Sequence, residues 1–521
     1  MSKKVLLMIL DGWGLDEATD HNAITLARPA YWEKLWREYP HSVLKAREEH
    51  VGLPCGCLSG SEVGHMILGA GRVVYQSAAR IEKTLREGTW NENQILVGAE
   101  KHLREFGGKI HLVGLLSDGG IHAHITHLKE FIKWARGADD GAAVGEGVVK
   151  IKSDAPEGKI RKICLHLFLD GRDMPPKSAL DMLKREILPE LDATVEITTM
   201  CGRATAMDRN ENWGRTGETF ELLTEIKEIS AEKPDDFLAA QYTAGVTDEF
   251  IQPTRFSQEV VGADDAVIFF NFRADRMRQL ARYFIGQAPE SEQARVKLPL
   301  NLYLASLTEY DAEFRQIWVM YPPEYPKNTL GEWVSAHNLK QFRVTETEKY
   351  AHLTYFFNGG QEQTFEGESR LVIPSLGLTN YASQPEMSLP EVVKTLNRVL
   401  DEREYDLVIT NFANGDMVAH SGDFPACLKA VAEVDKALAQ VIPVALKNDY
   451  TVVITADHGN IEHMREKDEP HTAHSFNDVP LIITDKNLTL PAEGYLYQVA
   501  GTVLKLMDLP LPPEMGENAL I

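Results

Sequence analysis

The sequence predicts an α/β protein whose parallel strands are covered by helices on both faces. Three observations predict it. Short apolar runs recur without the alternation of a half-exposed strand, stretches of helical character separate them, and each run closes on a polar or glycine-rich turn. At 521 residues the chain is expected to form two or more domains.

The runs follow one another in order. Residues 5–10 stop at Asp11, residues 110–116 at Ser117-Asp118-Gly119-Gly120, and residues 163–169 at Asp170-Gly171-Arg172-Asp173. Residues 267–270 stop at Asn271-Phe272-Arg273, residues 407–410 at Asn411, and residues 451–455 just before Asp457. Segments 128–136, 178–188 and 427–442 are expected helices between strands. In open α/β sheets ligands bind beyond the carboxyl ends of strands, so these polar turns are the places to look for function. Two stretches break the rhythm. Residues 137–162, rich in glycine, alanine and charge, are expected to be a surface insertion or hairpin. Tyr321-Pro322-Pro323-Glu324-Tyr325-Pro326 is the best linker, because proline interrupts regular structure.

Bulk composition narrows the class. The 44% apolar and 25% charged content is that of a soluble globular protein. A formal charge of -23 argues against nucleic acid and anionic membranes as partners, while a local arginine cluster still permits a small anionic substrate. Five cysteines form no paired framework, which fits reduced thiols in the cytoplasm. The apolar run at residues 5–10 is too short for a signal-peptide core or a membrane span.

The polar turns carry metal-type donors at the two ends of the chain. These are Asp11, Asp416 and His420 in Asn414-Gly415-Asp416-Met417-Val418-Ala419-His420, Asp457-His458-Gly459-Asn460, and His474. Carboxylates and imidazoles without thiolates suit Mn²⁺, Zn²⁺ or Fe²⁺ and disfavour a purely structural zinc site. Asp416 and His420, four apart, would share one face of a helical turn. Taken singly, Asp11 could cap a turn and His474 could be an ordinary surface histidine. Their joint occurrence favours a two-metal set with Ser61, in Ser61-Glu62-Val63-Gly64-His65, as nucleophile. Ser61 could also be an N-cap, and the two roles are compatible because a helix N-terminus favours a phosphate. The middle of the chain instead carries arginines at strand ends: Arg172, Arg203, Arg209, Arg273 and Arg276, with His122 and Asp173 in similar turns. Guanidinium forks bind carboxylate and phosphate in bidentate fashion, so several together suit a small, multiply charged acid. Lys349 reads either as a solvated helix charge or as a phosphate contact.

These motifs resemble cofactor-independent (2,3-bisphosphoglycerate-independent) phosphoglycerate mutase, within the alkaline phosphatase superfamily. The matches run nearly end to end and include Leu10-Asp11-Gly12-Trp13-Gly14, Gly69-Ala70-Gly71-Arg72, Ala206-Met207-Asp208-Arg209, Glu346-Thr347-Glu348-Lys349-Tyr350 and Ala456-Asp457-His458-Gly459-Asn460. The resemblance implies an alkaline-phosphatase-like doubly wound sheet built from residues 1–76 and 321–521, with an inserted α/β phosphotransferase domain over residues 77–320. It implies two Mn²⁺ ions, one on Asp416, His420 and His474, the other on Asp11, Ser61, Asp457 and His458, with other divalent first-row ions possible. It further implies that 2- or 3-phosphoglycerate meets His122, Arg172, Asp173, Arg203, Arg209, Arg273, Arg276 and Lys349, that Asp173 exchanges protons with the glycerate hydroxyls, and that the protein is a cytoplasmic monomer. Gly60 stands where the family usually has asparagine, Ala204-Thr205 replace a usual aromatic pair, and Asn210 replaces a common aspartate.

Overall fold

The computed structural model describes residues 3–17, 20–137, 162–466 and 469–521. The insertion expected over residues 137–162 therefore lies, apart from its two end residues, outside the described residues. The chain divides into two compact units, one formed by Met1–Ala79 with Glu324–Ile521 and the other by Arg80–Pro323.

The first unit is built on an eight-stranded sheet. Its order is Glu368–Ile373, Gln341–Glu346, Leu407–Phe412, Lys4–Leu10, Tyr450–Thr455, Val479–Ile483, His41–Lys45 and Glu493–Tyr495. The first five strands are mutually parallel, and Val479–Ile483 runs antiparallel to both neighbours. The apolar run at the start of the chain becomes the sheet's interior: Val5 to Ile9 have no solvent exposure. Burial on both faces explains why that run does not alternate. The register sets Ile9 against both Asn411 and Thr455. Asp11, the Asn414–Ala419 helix and Asp457 thus leave the same carboxyl edge of the sheet.

The second unit has a seven-stranded sheet in the order Thr254–Arg255, Val195–Gly202, Ile163–Leu169, Ile110–Leu116, Ala266–Phe269, Tyr303–Thr308 and Trp318–Tyr321. Only Thr254–Arg255 pairs antiparallel. Leu116 pairs with Leu169, and Leu169 with Gly202. Ser117, Asp170 and Arg203 therefore emerge side by side.

The expected helices form, with instructive differences. Residues 128–136 lie in the helix Ile125–Arg136, and residues 427–442 in Phe424–Lys447. The helix expected over residues 178–188 is broken up. Ala179–Met182 is α-helical, Leu183–Ile187 widens into a π turn, and Leu188–Glu190 tightens into a 3₁₀ turn. Pro189 accounts for the change, since it lacks an N–H and its ring opposes a normal α ladder one turn back.

Candidate active site

In the first unit, Ser61 is the first residue of the helix Ser61–Ala70, and Gly60, in extended backbone, is its N-cap. Ser61 is thus not the cap, and its side chain is left available to the site. Gly64 lets this helix come close to the sheet edge. A Cβ there would stand 2.5 Å from the Asp457 carbonyl oxygen and 2.7 Å from the Asp457 Cβ.

The Ser61 hydroxyl donates to Asp11 Oδ1 at 3.0 Å and lies 3.0 Å from His458 Nε2. Lys349 Nζ reaches Ser61 Oγ and Asp11 Oδ1 at 2.7 Å and Asp416 Oδ2 at 2.6 Å. Asp416 Oδ1 accepts from Asn460 Nδ2 at 2.8 Å and stands 3.1 Å from His420 Nε2 and 3.3 Å from His474 Nε2. Asp457 Oδ1 accepts from the Gly12 amide at 3.2 Å, and Oδ2 faces His458 Nε2 at 3.4 Å. Ser61, Asp11, Asp416, His420, Asp457, His458, His474 and Lys349 are all brought together. His420 keeps partial exposure, whereas Asp11, Asp457 and His458 are buried.

The imidazoles reveal what this cluster fits. Nδ1 of His420 donates to the Thr472 carbonyl at 2.7 Å, and Nδ1 of His474 to the Ser59 carbonyl at 2.7 Å. A carbonyl only accepts, so each Nδ1 carries a proton, and when the ring is neutral its Nε2 presents a lone pair. Those two Nε2 atoms face each other at 3.2 Å beside the Asp416 carboxylate. Lone pairs that converge in this way, from rings oriented by backbone acceptors, are the arrangement of metal-binding histidines. Lys349 is the ammonium shared by Asp11 and Asp416, while Asp457 Oδ2 faces the imidazoles of His65 at 3.2 Å and His458 at 3.4 Å. The donors fit a divalent cation, and Asp416, His420 and His474 form one set of ligand atoms within 4.8 Å, Asp11, Asp416 and His458 another. Electrostatics agree. Burial would lower the Lys349 pKa, but Asp11 and Asp416 outweigh it and hold the ammonium charged. Burial and the neighbouring Asp457 charge push the Asp11 carboxyl up.

The second unit gathers the arginine set. Arg203, almost fully buried, donates from Nη1 to Asp170 Oδ1 at 2.6 Å and Asp173 Oδ2 at 2.5 Å. His122 lies between two carboxylates, 3.7 Å from Asp173 and 3.6 Å from Asp275. Burial, then Arg203, lowers its pKa to about 4, so it is neutral at pH 7. Asp275 also meets Arg209 at 2.7 Å and Arg273 at 3.2 Å. Arg276 donates to the Met207 carbonyl at 3.1 Å. Arg172 stands apart from these contacts: it is 57% exposed and its guanidinium lies 3.4 Å from Glu249.

A family model described as the Metalloenzyme superfamily matches residues 3–511. A 2,3-bisphosphoglycerate-independent phosphoglycerate mutase from Thiobacillus denitrificans is 41% identical over 531 residues, covering 99% of this chain and 98% of that relative. One from Moorella thermoacetica is 40% identical over 530 residues, covering 100% and 99%. The chain belongs to the 2,3-bisphosphoglycerate-independent phosphoglycerate mutase family. A solved Leishmania mexicana phosphoglycerate mutase, studied at low cobalt concentration, aligns with a TM-score of 0.57 at 25% identity, covering 100% of this chain and 98% of that one.

As a member of this mutase family the chain is a divalent-metal-binding enzyme of α/β fold. Among the described residues no helix is long and apolar enough to cross a membrane. Residues beyond those that the sequence motifs single out join these clusters. His65 Nδ1 lies 2.9 Å from the Ser61 carbonyl and 3.2 Å from Asp457 Oδ2, while its Nε2 accepts from Asn411. Asn411 Nδ2 also donates to Asp11 Oδ2 at 2.6 Å. The spacing Ser61–His65, one helical turn, was the available signal. Asp170 and Asp275, which organise the arginines, sat unselected inside Asp170-Gly171-Arg172-Asp173 and Asn271-Phe272-Arg273-Ala274-Asp275. A Cβ on Gly60 would meet the His474 ring at 3.0 Å, so the bare backbone here lets that imidazole pack close.

Proposed function

We propose that this chain interconverts 3-phosphoglycerate and 2-phosphoglycerate through a phosphoserine on Ser61, with two divalent ions, Mn²⁺ by preference. Asp416, His420 and His474 would hold one ion, and Asp11, Ser61, Asp457 and His458 the other. Bound there, the ions supply positive charge that favours the serine alkoxide and offsets charge on the phosphoryl group. The observation that carries this reading is the position of the Ser61 hydroxyl, on the first turn of a helix and within 3.0 Å of Asp11, His458 and Lys349.

Ser61 Oγ forms the new bond to phosphorus while the bond from phosphorus to the glycerate oxygen breaks. The helix start at Ser61 favours the anionic phosphoryl group, and Lys349 adds a fixed positive charge. Asp173 is the group that gives a proton to the departing glycerate oxygen and takes one from the hydroxyl that accepts the phosphoryl group back. His122, neutral at working pH, orients those hydroxyls. Arg172, Arg203, Arg209, Arg273 and Arg276 grip the carboxylate and phosphate, so reorientation of glycerate outruns its escape. In this reading the protein acts as a monomer, as the family resemblance implies, in the cytoplasm, where five cysteines without a paired framework stay reduced.

The test is direct. Incubation of 3-phosphoglycerate with the protein and Mn²⁺ should yield 2-phosphoglycerate without 2,3-bisphosphoglycerate. Release of inorganic phosphate as the main product would make the chain a phosphatase instead.

A further inference from the structure

A second cluster of metal-type donors lies in the first unit and shares no residue with the one above. Asp16, His21 and His463 offer three ligand atoms within 4.8 Å of one another, and each residue is partly buried. Asp16 Oδ2 stands 3.7 Å from His21 Nε2 and 3.6 Å from His463 Nδ1. Neither separation is a hydrogen bond. Two ligands on one tetrahedral ion, with bonds of about 2.1 Å, stand roughly 3.4 Å apart. The observed spacings are close to that.

An independent feature points the same way. His21 Nδ1 lies 2.8 Å from Asp20 Oδ1. With Nδ1 donating to this carboxylate, Nε2 is the ring nitrogen left facing Asp16. A carboxylate behind one imidazole nitrogen, with the other nitrogen facing a second donor, is how metal-binding histidines are oriented. The rings of His21 and His463 meet edge to face, with centroids 5.0 Å apart. Both loops are fastened by other contacts: Asn22 Nδ2 donates to the Asp16 carbonyl at 3.0 Å, and the Met464 amide to the His21 carbonyl at 3.1 Å.

We propose that Asp16, His21 and His463 form a separate first-row metal site that joins the loop after Lys4–Leu10 to the loop after Tyr450–Thr455. Two imidazoles and one carboxylate favour zinc over manganese or magnesium. Three protein ligands leave the fourth position of the ion open to water, and the ion bridges the two segments that carry Asp11 and Asp457 further back along the chain.

The test uses the full chain, stripped with chelator and dialysed against Zn²⁺ alone at neutral pH. Zinc per chain is measured for the wild type, for His463→Gln and for His21→Gln combined with His463→Gln. Both variants should hold one equivalent less than the wild type and keep the remainder, which controls for folding. Cobalt in place of zinc should give the wild type a four-coordinate visible spectrum component that the double variant lacks. If a variant folds poorly by circular dichroism, Asp20→Asn replaces it, and competition with a chromophoric chelator should show affinity at one site weakened about 10–100-fold. Equal zinc content and equal cobalt spectra in wild type and well-folded variants, or unchanged affinity in Asp20→Asn, would reduce the cluster to protonated histidines paired with aspartates and overturn the proposal.

Discussion

His420 and His474 bring their Nε2 atoms to 3.2 Å from each other while each ring donates through Nδ1 to a backbone carbonyl. When both rings are neutral, neither Nε2 has a proton to share with the other. Both also adjoin Asp416 Oδ1. A positive ion at that corner resolves the repulsion, and consequences follow for removing the residues nearby.

Ser61→Ala removes the proposed nucleophile and leaves Asp11, Asp416 and the histidines in place. Turnover should fall by at least about a thousandfold, while part of the bound metal is retained. Quench-flow with labelled substrate and metal analysis on the same sample check both halves. Wild-type turnover in this variant would end the phosphoserine route.

Lys349→Met withdraws the buried ammonium from between Asp11 and Asp416. Uncompensated buried charge should destabilise the chelator-treated protein by roughly 3–5 kcal/mol. Divalent metal should restore more stability to the variant than it adds to the wild type. Urea titrations with chelator and with Mn²⁺ measure this; identical midpoints in chelator would contradict it.

Gly64→Ala drives a methyl group into the backbone of Asp457. Overpacking of this kind should lower stability by about 1–3 kcal/mol and displace the Ser61 helix from the carboxylates. The denaturation midpoint and turnover should therefore fall together. A variant as stable and active as the wild type would show that the helix has more room than these contacts allow.

His127 provides a pH test away from the metal donors. Burial, aided slightly by His124, lowers its pKa to about 3, and its Nδ1 has no hydrogen-bond partner among the described residues. Between the unfolded value near 6.5 and the folded value near 3, the unfolded chain binds the extra proton. Its contribution is thus present above pH 6.5 and lost as the pH falls through that window, with a slope of up to about 1.4 kcal/mol per pH unit. His127→Gln should flatten the acid side of a stability–pH curve from urea melts. An unchanged slope would show that His127 is readily protonated in the fold.

Much of the fold could be read from run length alone. The stretch from Val5 to Leu10 announces a strand buried on both faces, and Asp11 marks where it stops. Direction could not be read in this way: Val479–Ile483 is as apolar as its neighbours yet runs the other way, because direction depends on the connections. The metal-type donors were legible because Asp and His after strands share one edge once the strands are parallel. His65 and Asn411 were not, since an ordinary helix position and a strand-end amide gain meaning only when Asp11 and Asp457 stand against them. The contact between Arg172 and Glu249 was not legible either, because the two meet only through the fold.

The strand Lys4–Leu10 lies between Leu407–Phe412 and Tyr450–Thr455, partners made some four hundred residues later. On the ribosome this greasy segment emerges before either partner and must wait, unpaired, while the whole of Arg80–Pro323 is synthesised and free to fold on its own contiguous sequence. A unit begun earlier is thus completed later, and the early strand is a stretch that gains from shelter by a chaperone during synthesis.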